Sequence, residues 1–120
     1  MPTLANFTMV PKGNSNIPLP AGGEDFVSDP FPLPGLAKGS AVLLFRYRAT
    51  DGRPTLKVRV NNNERVTLNL VANGEINFCS FHDTIPSGQL TELSNHVRAS
   101  ATGTGKVFIS DIMVLYQMEV

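Results

Sequence analysis

The densest run of chemically capable side chains is Cys79-Ser80-Phe81-His82-Asp83. A nucleophilic site needs a nucleophile, a base and a group that orients the base, all within hydrogen-bond reach. Neighbouring side chains on a strand take opposite faces, so Cys79, Phe81 and Asp83 share one face and Ser80 and His82 the other. A Ser80–His82 pair would have to find its orienting acid elsewhere, and no Gly-x-Ser-x-Gly elbow is present. The run therefore reads as structural, with Cys79 a small buried apolar residue and His82 a surface group. The chain is not expected to be an enzyme. For zinc, the candidate ligands are Cys79, His82 and His96, and no Cys or His pair has the spacing of a structural site.

Those residues have to be positioned by strands. Residues 56 to 70 contain apolar residues in alternation at Leu56, Val58 and Val60, and again at Val66, Leu68 and Leu70. That is the period of a half-buried strand. Asn61-Asn62-Asn63 lies between the two arms, and Asn tolerates the left-handed backbone of a tight turn. The pattern predicts a β-hairpin whose buried side is Val58, Val60, Val66 and Leu68. Further strands are expected over residues 4 to 10, 41 to 49, 75 to 81, 96 to 101 and 106 to 118, with a turn at Asn73-Gly74 and a loop from Asp83 to Leu90. No long stretch has a helical apolar stripe, so little or no helix is expected.

Residues 11 to 40 hold Pro11, Pro18, Pro20, Pro30, Pro32 and Pro34. Proline removes a ladder donor, which excludes a central strand there. Phe26, Phe31, Leu33 and Leu36 are enough apolar anchors for a long arm pinned to a domain surface. In the last strand, strict alternation puts Phe108, Ile112, Val114 and Tyr116 on one face and Val107, Ile109, Met113 and Leu115 on the other. A strand apolar on both faces must be covered on both. The arm, or another protein chain, is the expected second cover.

At 120 residues the chain is expected to be one domain, residues 1 to 40 forming a strand plus arm and residues 41 to 120 the sandwich core. Formal net charge is zero, with no run of basic residues, so a nucleic-acid surface has no electrostatic support. No apolar stretch approaches membrane-spanning length, and no signal peptide is visible. The lone Cys79 excludes an internal disulfide. These features fit a cytoplasmic protein or one exported without a classical signal, with no nucleic-acid or membrane partner.

From residue 41 to 117 the pattern resembles the jelly-roll sandwiches of carbohydrate-binding modules and the galactose-binding-like superfamily. The resemblance rests on Val42-Leu43-Leu44-Phe45-Arg46-Tyr47-Arg48 and on Leu56-Lys57-Val58-Arg59-Val60-Asn61. It continues in Ile85-Pro86, Leu90, Asn95-His96-Val97 and Val107-Phe108-Ile109-Ser110-Asp111-Ile112. Asn61 is followed by Asn62 rather than glycine, and the chain has no Trp. The resemblance implies an all-β, antiparallel jelly-roll sandwich and a non-catalytic glycan-binding module. It also implies a structural calcium ion held by Asp111 on the last strand and by Glu24 or Asp25 upstream.

Sugar recognition would draw on an exposed aromatic flanked by hydrogen-bonding side chains. Tyr47, Phe81, Tyr116, Arg46, Arg48, Arg59, Asn69 and His82 are the available parts. Strand parity groups Arg46 with Arg48, and Lys57 and Arg59 with Thr67 and Asn69. Either group makes a polar sheet face, and an ordinary solvated face is the plainer reading. The alternative function is an assembly protein that self-associates as a homo-oligomer, or docks to another protein, through its N-terminal arm and last strand.

Overall fold

The computed structural model of the protein describes residues 3–13, 16–37, 39–72 and 78–119. The expected turn at Asn73-Gly74 and the first residues of the strand expected from residue 75 lie outside the described residues. Among the described residues there are nine strands and no helix: β1 (Thr3–Met9), β2 (Ile17–Pro20), β3 (Phe26–Val27), β4 (Ala41–Asp51), β5 (Pro54–Val60), β6 (Asn63–Asn69), β7 (Cys79–Ile85), β8 (Val97–Gly103) and β9 (Lys106–Glu119). Two antiparallel sheets result. In the first, β1 and β2 both pair with β9, which is followed by β4 and β7; the second runs β3-β8-β5-β6.

The hairpin forms as expected. Leu56 pairs with Leu68 and Val58 with Val66. The turn places Asn61 at φ 50° and Asn62 at φ 69°, the positive values that a two-residue hairpin turn demands. Val58, Val60 and Ile109 are fully buried and Val66 nearly so, whereas Leu68 is only half-buried because β6 is the sheet's edge.

The last strand departs from strict alternation. Leu44 pairs with Met113 but Arg46 pairs with Ser110, so Asp111 and Ile112 together oppose the single residue Phe45. This is a β-bulge, with Asp111 at φ 52°. It shifts the face of every residue beyond it. Val107 and Ile109 before the bulge and Ile112, Val114 and Tyr116 after it all enter the core. The expected division of these residues between two faces is thereby corrected. The outer side keeps Phe108, Met113 and Leu115, none of them fully buried.

The proline-rich segment is ordered on its own domain, but it does not lie over the outer face of β9. It passes between the sheets, with β2 on β9 and β3 on β8. Phe31 then bridges to Asn95 and Leu36 to Met118. Leu19, Phe31 and Leu33 are buried in the common core, while Phe26 and Leu36 are half-buried against it. Pro18 and Pro20 fit in β2 because the strand lies on a sheet edge, where missing donors cost little. The structure also extends β7 through Ile85, where a loop was expected from Asp83. Val42 and Leu43 of β4 pair with Thr84 and Asp83, and backbone pairing overrides the polar side chains.

Urea melts test the bulge. Asp111→Gly should stay within about 0.5 kcal/mol of the parent, since glycine enters the left-handed region freely. Asp111→Val should lose about 1–2 kcal/mol. Equal losses would show that positive φ is not what the position demands. In the core, Leu56→Ala should cost about 2–5 kcal/mol, and Leu68→Ala less, following its partial exposure.

Candidate functional site

The outer face of the first sheet collects the chemically capable groups. On β4 the inward residues Leu43 and Phe45 are fully buried, so Leu44, Arg46 and Arg48 turn outward. On β7 the outward residues are Ser80, His82 and Thr84, all exposed. Phe108 of β9 pairs directly with Arg48, and Phe78 precedes β7 on the same parity as Ser80.

Two rings hold three cations on this face. The Arg46 and Arg48 guanidinium carbons lie 5.1 and 5.2 Å from the centre of the Phe78 ring. Arg48 also lies 5.5 Å from the Phe108 ring, and Lys106 Nζ is 5.5 Å from that same ring. A ring face is negative, so it attracts a cation and restricts its rotamers without neutralising it. Asp111 joins them: its Oδ2 accepts from Arg46 Nη1 at 3.3 Å, an exposed contact.

Arg59 and Asn69 lie on the other sheet and face away from Arg46, Arg48 and His82. The five residues do not form one site. The outer face of the second sheet is polar and internally paired. Thr55 Oγ1 donates to Asn69 Oδ1 at 3.0 Å, Lys57 pairs with Glu64 at 3.9 Å, and Arg98 pairs with Asp25 at 3.7 Å. None of its outward residues on β3, β8, β5 or β6 is aromatic.

The aromatic residues expected to stack on sugar turn inward. Phe81 packs on Phe45 at a ring separation of 5.6 Å, and Tyr47 at 6.2 Å. Tyr116 is buried, and its hydroxyl donates to Pro34 O at 3.1 Å. The outward rings are Phe7 on β1 and, beside the arginines, Phe78 and Phe108. Parity with Ser80 and pairing with Arg48 are the signals that identify the latter two.

Other expected groupings come apart. Cys79 is exposed rather than buried, because β7 is an edge strand. Ser80 and His82 share the outer face as expected, but Asp83 lies on the opposite face and accepts the neighbouring Thr84 N–H at 2.9 Å. His96 stands at the hairpin turn, its Nε2 3.3 Å from Asn62 Oδ1. The carboxylates expected to hold calcium are committed separately, Asp111 to Arg46 in the first sheet and Asp25 to Arg98 in the second. Glu24 is exposed and borders a surface groove with Asp25, Lys12 and Ile17. Among the described residues no three His, Cys, Asp or Glu side chains converge to hold a metal ion.

At the hairpin end, Asn95 is 1% exposed and fully bonded. Its amide nitrogen donates to Thr91 O at 2.7 Å and Phe31 O at 3.2 Å. Its oxygen accepts from Thr91 N and from Asn61 Nδ2, both at 2.8 Å. The sequence does not single out this position as a hub. A buried amide with all its bonds made is costly to truncate, because its partners lose their only dry alternative to water.

Burial, and then the neighbouring Cys79 through its charge and hydrogen bond, raises the Tyr47 pKa above its ordinary value of 10.0. The unfolded chain therefore ionises this phenol first, and the folded state binds more protons above pH 10. Stability should be unaffected by Tyr47 below that pH and fall as pH rises above it. Urea melts at pH 8 and pH 11, with Tyr47→Phe alongside, check this. An alkaline loss identical in both proteins would remove Tyr47 as its source.

No protein-family model matches this sequence, and no curated protein matches it in sequence. Solved structures match in fold. The dimeric latent PorU of Porphyromonas gingivalis aligns with a TM-score of 0.67 at 14% identity, over 98% of this chain and 13% of that one. A carbohydrate-binding module from Cellvibrio mixtus lichenase 5A, in complex with cellotriose, aligns with a TM-score of 0.52 at 13% identity, over 92% and 95% of the two chains. A family 35 carbohydrate-binding module from an environmental isolate aligns with a TM-score of 0.60 at 15% identity, over 85% and 74%. The chain is an all-β jelly-roll sandwich of the kind built by carbohydrate-binding modules.

Proposed function

We propose that the protein is a non-catalytic glycan-binding module whose site is the outer face of the first sheet, and that its ligands are acidic sugars. The observation that carries this is the placement of Arg46, Arg48 and Lys106 against the faces of Phe78 and Phe108 on an exposed sheet surface. The likeness to carbohydrate-binding modules supplies the class of ligand. Arg46 and Lys106, cationic donors set against ring faces, favour an acidic one.

The division of labour follows from the side chains. A guanidinium is a planar fork of donors that fits a carboxylate or sulfate with two parallel bonds. Ring contacts hold the forks in place before the ligand arrives, which lowers the ordering cost of binding. Phe78 and Phe108 add apolar surface for the C–H face of a sugar ring. Ser80, His82 and Thr84 along β7 add neutral donors and acceptors for hydroxyls. No bond is made or broken in this scheme. It needs no nucleophile, in keeping with the separation of Ser80 and His82 from Asp83.

A glycan array bearing neutral, uronate-containing and sulfated oligosaccharides, followed by calorimetry on the best ligand, tests the proposal. Arg46→Ala and Arg48→Ala should each weaken binding by about tenfold or more, the worth of a hydrogen bond to a charged group. Affinity should also fall with added salt. Arg59→Ala and Asn69→Ala, on the opposite face, should leave it within about twofold, as for surface residues away from the contact. An array silent for acidic glycans, or a loss confined to Arg59 and Asn69, would overturn the assignment.

A further inference from the structure

β1 is an edge of the first sheet with nothing paired on its far side among the described residues. Folded proteins guard such edges with charge, proline, a bulge or brevity. The other edges here are guarded. β2 carries Pro18 and Pro20, and β3 is two residues long. β6 carries Glu64, Arg65 and a register shift, and β7 carries His82 and Asp83. The seven residues of β1, Thr3-Leu4-Ala5-Asn6-Phe7-Thr8-Met9, include no charge, no proline and no register shift. Phe7 is 59% exposed and Leu4 53%.

The backbone of β1 has a definite polarity. Just past the strand, the Val10 N–H donates to Ile112 O at 2.9 Å. Antiparallel ladders alternate, so Thr8, Asn6 and Leu4 turn their main-chain groups toward β9. Met9, Phe7, Ala5 and Thr3 then turn theirs to the open edge, where the Phe7 N–H donates to the adjacent Asn6 Oδ1 at 2.9 Å, an exposed contact that an incoming carbonyl would replace. Only another extended strand satisfies such a row of alternating donors and acceptors.

We propose that the occupant is β1 of a second copy of this chain, paired antiparallel about a two-fold axis at Asn6. In that register Thr3 opposes Met9 and Ala5 opposes Phe7, each pair formed by two open-edge residues, so the edge groups of both copies are matched, the Phe7 N–H exchanging Asn6 Oδ1 for the carbonyl of the partner's Ala5. Side chains agree with it. Ala5 borders a shallow outer-face groove lined by Val42, Leu115 and Gln117, and the partner's Phe7 ring stands directly across from this small residue. Charges do not oppose it. Glu119 lies beside Thr3 at one end of β1, and Lys12, its side chain 76% exposed and its Nζ 3.5 Å from Asp29 Oδ2, lies beyond the other. Antiparallel pairing brings the Lys12 end of one copy to the Glu119 end of the other, with no like charge opposed along the strands. The two first sheets become one continuous sheet, with both Arg–Phe faces on the same side.

Sedimentation velocity of the intact chain over a range of concentrations is the first measurement. The expected particle has twice the 13.0 kDa chain mass. Phe7→Lys should raise its dissociation constant by about 30-fold or more, as for loss of an aromatic anchor at the centre of an interface. Asn6→Cys, made with Cys79→Ser to remove the exposed native thiol, reads the register: opposed residues of a non-hydrogen-bonded pair are close enough for a disulfide. Oxidation should yield a covalent dimer, and Asn16→Cys in the same background should not. A mass of 13.0 kDa for the parent at every concentration overturns the proposal. So does a dimer that Phe7→Lys leaves intact and Asn6→Cys fails to cross-link.

Discussion

The sandwich depends on one left-handed residue in its central strand. Asp111 at φ 52° inserts an extra residue into β9, and the strand's apolar residues keep facing the core only because of it. A regular β9 would turn Ile112, Val114 and Tyr116 outward while keeping Ile109 in. Exposing a buried Val, Ile or Tyr forfeits roughly 1.5–3 kcal/mol each, more than the strain of one left-handed residue. The bulge also divides the neighbouring edge. β1 pairs with β9 beyond it and β2 before it, and the connecting turn is stitched to Ile112 by bonds from its N–H to Gly13 O and from the Val10 N–H to its O, each 2.9 Å.

The same residue connects the fold to the proposed binding face. The turn of the backbone at Asp111 brings its carboxylate to Arg46, whose guanidinium also stands over Phe78. Arg48 is held between Phe78 and Phe108. Positioning thus comes from a strand bulge, from Phe108 on β9 and from Phe78 just before β7. Contacts of this kind fix the side chains before any ligand of the proposed site arrives.

The hairpin end is fixed by amides. Asn61 is a turn residue through its backbone and a clamp through its side chain. Its Nδ2 donates to Gln89 O and to Asn95 Oδ1, and its Oδ1 accepts from the His96 N–H. Asn95 carries the connection on to Phe31 in the proline-rich segment. The segment is therefore tied by polar bonds at one end and by buried Leu19, Phe31 and Leu33 along its length. This explains how so many prolines are tolerated in an ordered stretch. The anchors lie in the core, and the ladder asks little of the proline positions.

Local signals determined much of this protein. Alternation at residues 56 to 70 and three successive asparagines dictated the hairpin, because side-chain period and turn conformation are properties of a few adjacent residues. The all-β class and the grouping of Arg46 with Arg48 on one face followed from the same arithmetic. What tertiary structure decided was everything that depends on how strands pair. Parity within one strand cannot show that Arg46 and Asn69 stand on opposite sides of a sandwich, since that depends on which sheet each strand joins. Nor can it reveal the bulge: an aspartate among hydrophobic residues reads as one more alternating position until a partner strand counts one residue against two. The exposed rings were hidden for the same reason. Phe78 and Phe108 lie 30 positions apart in the sequence, and only the pairing of β7 and β9 on either side of β4 brings both to Arg48.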